Sequence, residues 1–131
     1  MMDAVMQAAQ RLMEALRAEN EALARLDLAA AGELAGGKRQ AADAFAAAFA
    51  AAQKLGTRAE GGERARAEEV AARLRDLTAE NRRLLERAIA LQSRVIETIA
   101  GAARPPGPGT YGARGRMKEG RGAAVSVLSR A

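Results

Sequence analysis

Residues 70–95, VAARLRDLTAENRRLLERAIALQSRV, contain the pattern that decides the fold. Apolar residues recur there four and then three positions apart, the spacing that keeps one stripe of a helix against a neighbouring helix. The repeat consists of Val70, Leu74, Leu77, Asn81, Leu84, Ala88, Leu91 and Val95. It predicts one long helix over about 63–101, which ends before two consecutive prolines.

Asn81 is the polar member of this repeat and occupies a d position. An asparagine in such a seam commonly sets the register of the packed helices. We therefore interpret Asn81 as a register-setting residue rather than as a binding residue.

Two further apolar repeats lie upstream of this helix. The first covers residues 5–30 and is interrupted only by Glu19. The second covers residues 34–55 and contains the pair Gly36-Gly37. Each glycine costs a helix interior about 1 kcal/mol relative to alanine, so the pair marks either a bend or a break.

Residues 56–62, GTRAEGG, lose the apolar repeat and contain three glycines, which is the composition of a turn between helices. The expected fold is all-α. A helix over about 3–55, this turn and the second helix form a long antiparallel helical hairpin or coiled coil within residues 1–101. A break at Gly36-Gly37 would instead give a three-helix bundle, and the sequence leaves both arrangements open.

Composition and charge change near residue 101. Residues 1–100 hold equal numbers of basic and acidic residues, whereas residues 101–131 hold six basic residues and one acidic residue. The net charge of +5 and all three prolines therefore belong to this end of the chain. We predict a flexible, disordered basic tail over 102–131. Nucleic acid is its less favoured partner, because Tyr111 is its only aromatic residue and it has no repeated RGG motif.

The sequence contains no cysteine and no histidine. A disulfide framework and a thiolate metal site are therefore excluded, and the commonest general base is missing. Carboxylates alternate with arginines and lysines on polar helix faces, as solvated ion pairs do. We predict no enzyme activity, no catalytic residue, no metal site and no cofactor.

The segment Gly32–Lys38 fits the spacing GxxxxGK of a phosphate-binding loop. Arg39 follows where that motif needs a serine or threonine, and no apolar strand precedes the first glycine. We therefore reject nucleotide binding and expect no small-molecule substrate. The N-terminus lacks an export signal and no apolar run approaches about 18 residues, so we expect a cytoplasmic protein without membrane insertion.

Toward its C-terminal end the second helix is apolar on more than one stripe. The seam residues Leu84, Ala88, Leu91 and Val95 are accompanied by Leu85, Ile89, Ile96 and Ile99. One neighbouring helix cannot cover that width. Either a third helix packs on the additional face, or the face is an exposed groove that receives a helix from a partner.

Three motifs, in this order, resemble those of one known family. The opening helix contains Leu23, Leu26 and Asp27 and leads to Leu34-x-x-x-Lys38. The second helix contains Leu74-x-x-Leu77-x-x-x-Asn81-x-x-Leu84-Leu85, and Tyr111-x-x-x-Gly115 follows it. With its small size and basic tail, the chain resembles the FlgN-like flagellar export chaperones.

The resemblance implies a cytoplasmic chaperone that hydrolyses nothing. Such proteins bind the terminal helical segments of hook-associated (hook–filament junction) proteins, prevent their premature assembly and deliver them to the export gate of the flagellar type III secretion system. The predicted client-binding residues are Leu84, Leu85, Ile89, Leu91, Val95, Ile96 and Ile99, with Val125, Val127 and Leu128 of the tail. Tyr111 and Gly115 would dock at the cytoplasmic domain of the gate. The alternative is a nucleic-acid-associated or structural coiled-coil protein with a basic disordered tail.

Overall fold

The computed structural model describes residues 2–103. These residues form three α-helices and no strand: α1 spans Asp3–Ala24, α2 spans Leu28–Lys54 and α3 spans Gly62–Ala102. The predicted all-α fold is confirmed, and α3 coincides with the predicted second helix. The predicted tail from residue 104 onward lies outside the described residues.

Residues 25–27 interrupt the helix between α1 and α2, so the predicted single helix over about 3–55 is wrong. Leu26 has a φ of 60°, a left-handed conformation that commonly follows the end of a helix. Its amide donates to the carbonyl oxygen of Leu23 at 3.0 Å, which closes the last turn of α1. The two helices therefore fold back on each other.

Asp27 ends one helix and begins the next. Its amide donates to the carbonyl oxygen of Ala22 at 2.9 Å, which is the second hydrogen bond of the motif that ends α1. Its Oδ1 accepts a hydrogen bond from the amide of Ala30 at 3.1 Å and so caps the N-terminus of α2. One residue thus satisfies backbone groups at both helix ends, which explains why the break occurs here.

Gly36-Gly37 lie inside α2, so of the two alternatives that the sequence leaves open, a bend or a break, the break does not occur at this pair. Both glycines are exposed, and a Cβ added to either would meet no atom within 4 Å. Packing of α2 on α1 through the buried Ala31 and Ala35 offsets their unfavourable helix propensity. The same helix includes Gly32–Lys38, which therefore forms no phosphate-binding loop, as the sequence predicts.

The turn predicted over 56–62 is confirmed. α2 ends at Lys54, and Gly56 follows with a φ of 68°. Gly61, with a φ of 58°, immediately precedes α3. Both positions use the left-handed backbone that glycine adopts without steric cost.

α1 lies between the other two helices and packs against both, whereas α2 and α3 have far less backbone contact with each other. α2 runs antiparallel to α1, because Ala31 near its start packs with Leu23, while Lys38 farther along bonds to Glu19. The antiparallel pair is therefore α1–α2, both from the region predicted as one helix, and not the predicted pairing of a helix over about 3–55 with the helix over about 63–101.

α3 runs parallel to α1. Glu19 accepts a hydrogen bond from Asn81, and Leu23, one turn later in α1, lies in one apolar cluster with Leu84 and Ala88. α3 therefore packs along α1. It does not pack along one long helix over residues 3–55, as the hairpin prediction required. None of these three helices has the length and apolarity that crossing a membrane requires.

Candidate functional site

A buried polar cluster joins the three helices near the middle of the bundle. Glu19 and Asn20 come from α1, Lys38 from α2 and Asn81 from α3. Glu19 is only 1% exposed, and both asparagines are buried as well. Because Glu19 occupies a position of the apolar repeat of α1, the helical period itself directs the carboxylate into the bundle.

The carboxylate of Glu19 is held by one charged and one neutral donor. Lys38 Nζ lies 2.8 Å from Glu19 Oε1, and Asn81 Nδ2 donates to the same oxygen at 2.6 Å. Lys38 Nζ also donates to Asn81 Oδ1 at 3.3 Å. Lys38 and Asn81 therefore bind each other as well as the same carboxylate.

The two asparagines extend the cluster along the contact between α1 and α3. Asn81 Nδ2 also donates to Asn20 Oδ1 at 2.8 Å, and Asn20 Nδ2 donates to the carbonyl oxygen of Leu77 at 3.3 Å. The predicted seam position of Asn81 is confirmed. Its hydrogen bonds can be made in only one register of α3 against α1, which is the physical meaning of a register-setting asparagine.

The chemistry of this cluster suits it to hold the helices together. A buried ion pair needs all its partners, and removal of one of them leaves an uncompensated charge out of water. Glu19 Oε2 is buried and has no hydrogen-bond partner among the described residues, so one acceptor remains unsatisfied. Within residues 2–103 no group of three His, Cys, Asp or Glu side chains is placed to hold a metal ion.

α3 continues beyond the part of the bundle that α1 covers. α1 ends beside Ala88, and α3 extends from there over residues 89–102, a length of about 21 Å. Three of its large aliphatic side chains are exposed, Leu91 at 37%, Val95 at 51% and Ile99 at 63%. The helix therefore presents an apolar stripe that its own bundle does not cover.

Ile89 and Ile96 lie in the same stretch and are half-buried. We define the apolar end of α3 as Ile89, Leu91, Val95, Ile96 and Ile99. These five are predicted client-binding residues that the structure brings together on one accessible segment.

Leu84 does not belong to this surface, which corrects its prediction as a client-binding residue. It is 5% exposed and lies in the core cluster with Leu23 and Ala88. Leu85 is half-buried and packs against the same cluster. The reason is the reversal at residues 25–27, which ends α1 only after it has covered this part of α3.

The remaining predicted site residues lie outside the described residues. They are the gate-docking residues Tyr111 and Gly115 and the client-binding residues Val125, Val127 and Leu128. Their roles stay predictions.

A second apolar feature, which the sequence did not predict, lies toward the opposite end of the bundle. Two adjoining pockets of about 310 and 500 Å³ share Phe45, Leu74 and Arg75. Phe45 and Phe49 stand one helical turn apart with ring centroids separated by 6.2 Å, and Phe49 is 46% exposed. Two phenylalanines four positions apart in an alanine-rich helix are the sequence signal that could have revealed this surface.

The chain matches no protein-family model, no curated protein and no solved structure. Its class is therefore inferred from its own residues and their geometry.

Proposed function

We propose that this protein is a cytoplasmic export chaperone of the FlgN-like type. Its clients are hook-associated proteins of the flagellum, whose terminal helical segments it binds, keeps from premature assembly and delivers to the export gate. The observation that carries this proposal is the exposure of Leu91, Val95 and Ile99 in the apolar end of α3.

A client helix can lie along the projecting stretch of α3. Leu91, Val95 and Ile99 follow one another at intervals of four residues and so lie on one stripe. Full burial of one such side chain contributes about 1.5–3 kcal/mol. The loss of translational and rotational freedom on association offsets part of this gain. A few half-exposed aliphatic residues therefore support reversible binding, which suits a carrier that must release its client.

The residues that carry the family resemblance also support the proposal. Lys38 and Asn81 belong to separate motifs 43 positions apart in the sequence, and their side chains meet at the carboxylate of Glu19. Together they hold α3 beside α1, which leaves the C-terminal part of α3 projecting from the bundle. A polar cluster of this kind would position the client-binding surface without contacting the client.

In this proposal the tail completes client binding and performs delivery. Val125, Val127 and Leu128 add apolar contacts to the client, while Tyr111 and Gly115 dock at the cytoplasmic domain of the gate. Because different residues perform the two steps, binding and delivery are separable by mutation.

Co-purification of hook-associated proteins with full-length variants tests client binding. Val95→Asp combined with Ile99→Asp should abolish co-purification, because carboxylates cannot be buried unpaired beneath an apolar client helix. Ala90→Asp combined with Arg94→Asp is the control, since it adds negative charge at exposed positions of the same stretch. The control should retain the client, and circular dichroism should show both variants to be helical.

Unchanged co-purification of the Val95→Asp, Ile99→Asp variant would overturn the proposed client site. Delivery is tested by Tyr111→Ala, which should retain the client and lower its secretion. Normal secretion by that variant would remove the docking role of Tyr111.

A further inference from the structure

The two adjoining pockets form one groove, which we call the α2–α3 groove. It exists because α2 and α3 both pack on α1 and make little contact with each other. Its floor is formed by Val5, Ala9 and Leu12 of α1. It is separate from the apolar end of α3, which lies at the other end of that helix.

The groove has the length of a missing helix. Along α3 it is lined from Ala67 to Arg82, a distance of about 22 Å, or about four helical turns. A bundle that lacks its fourth helix leaves a trough of this kind between two helices that share a neighbour. The natural occupant of such a trough is an α-helix.

The surface of the groove fits the apolar face of that helix. Phe45 and Phe49 form one wall, and Val70 and Leu74 line the other. The ring of Phe49 is about half exposed to water although it is a large apolar group, so it gains from being covered. Methionines also line one end, where their flexible side chains can adapt to an incoming residue.

The charge of the groove indicates which helix it prefers. Arg75 and Arg82 are the only charged residues that line it, and no acidic side chain does. They stand seven residues apart and hence on the same edge of α3. Neither forms an ion pair within residues 2–103. Two unpaired guanidinium groups beside an apolar trough favour carboxylates on the occupant.

We propose that the α2–α3 groove binds an amphipathic α-helix of a partner protein whose acidic side chains, seven residues apart, face Arg75 and Arg82. The apolar face of this helix packs on Phe45 and Phe49. The chain's own tail is a poorer match, since residues 101–131 carry six basic residues and one acidic residue. The site does not depend on the chaperone function proposed above.

The probe is a fluorescently labelled 18-residue helical peptide with leucines at a and d positions and glutamates on both flanks. A second peptide carries lysine in place of every glutamate. Anisotropy titrations with the full-length protein should give an affinity for the glutamate peptide about tenfold or more above that for the lysine peptide. Equal affinities would overturn the charge assignment.

Variants of α3 locate the charge preference. Arg75→Glu combined with Arg82→Glu should reverse it, so that the lysine peptide binds more tightly. Arg66→Glu combined with Arg73→Glu makes the same change of charge at exposed residues, also seven apart, on the opposite face of α3. This control should keep the original preference, and a similar reversal by both pairs would overturn the groove as the site.

A further pair of variants separates the groove from the client site. Phe49→Glu should lower the affinity for the glutamate peptide about tenfold or more. Val95→Asp combined with Ile99→Asp should leave it unchanged. The opposite pattern would overturn the groove while leaving the client site intact.

Two other occupants of the α2–α3 groove, a second copy of the chain and the chain's own tail, would each be detected by a separate experiment. If sedimentation shows a dimer that Phe49→Glu converts to monomer, a second copy fills the groove and the proposal is wrong. If a synthetic peptide of residues 104–131 displaces the glutamate peptide at comparable concentration, the tail is the occupant and the proposal is equally wrong.

Discussion

The middle of the bundle buries polar side chains, whereas the end of α3 exposes apolar ones. In the middle, all three helices contribute to a cluster around the Glu19 carboxylate, and each side chain of the cluster has a defined partner. At the end of α3, Val95 and Ile99 are more than half exposed. The usual distribution of polarity is thus inverted at both places. In this protein the buried polar residues fix how the helices pack, while the apolar residues at the end of α3 are left exposed.

The largest expected loss of stability follows from disrupting the buried polar cluster in the middle of the bundle. Lys38→Met leaves the buried Glu19 carboxylate without its cation, and we expect a loss of about 2–4 kcal/mol in the free energy of unfolding. The loss stays below that of a fully buried pair because the Lys38 side chain keeps 18% exposure. Urea denaturation followed by circular dichroism measures it. Arg39→Met, at an exposed neighbouring position, should change stability by less than about 0.5 kcal/mol, and equal effects of the two variants would mean that the cluster does not stabilise the fold.

A smaller loss should follow from removing the asparagine that connects the helices. Asn81→Leu takes away one donor to Glu19 and leaves Asn20 Oδ1 without its hydrogen bond, at a cost of about 1–3 kcal/mol. The comparison is Gln40→Leu, a similar change at an exposed position of α2. A variant as stable as the original protein would show that apolar packing alone fixes α3 against α1.

Stability can also be raised by substitutions in α2 that lie outside both the apolar end of α3 and the α2–α3 groove. Gly36→Ala combined with Gly37→Ala should raise the free energy of unfolding by about 1–2 kcal/mol, since both are exposed helical positions with room for a Cβ. Gly56→Ala is the opposite control, because its φ of 68° disfavours any side chain, and it should lower stability. Thermal melts of the two variants should shift in opposite directions, and a destabilised double variant would show that α2 needs its glycines.

The smallest change in stability is expected at the apolar end of α3. Val95→Asp combined with Ile99→Asp should cost less than about 1 kcal/mol, because both side chains are largely exposed and only helix propensity and the helix dipole are affected. Urea denaturation checks this value. A loss as large as that of Lys38→Met would show that these residues belong to the core and would remove the contrast between the two regions.

The parts of the fold that the sequence predicts correctly are those with strong local signals. The 4-3 repeat of α3 continues without interruption, and Gly56 and Gly61 occupy left-handed positions where glycine is favoured. The break at residues 25–27 has no comparable signal. Leu26 continues the apolar repeat, and a left-handed leucine is locally unfavourable by about 1–2 kcal/mol. Packing of α2 on α1 and the cap of Asp27 outweigh that cost.

The candidate site could be predicted only in part, because it too depends on tertiary packing rather than on a local sequence signal. Glu19 looks like an interruption of the apolar repeat, yet it is the centre of the polar cluster. The sequence cannot show that its partners come from α2 and α3, because this depends on how the helices are oriented. The same orientation decides that Leu84 is covered by α1 while Ile99 is not. The sequence pattern alone assigns both residues to one widened apolar surface of the second helix.

Because α3 pairs in parallel with α1, the partners of Glu19 come from very different distances along the chain. Lys38 reaches Glu19 across 19 positions of the chain, whereas Asn81 reaches it across 62. Contacts between near neighbours in the chain close faster and at lower entropic cost. We expect the α1–α2 hairpin to form first, with the Glu19–Lys38 pair in place before α3 arrives, and pulsed hydrogen exchange should protect α1 and α2 ahead of α3. During synthesis, the hairpin can then be complete by the time the ribosome releases the segment with the longest apolar stripe.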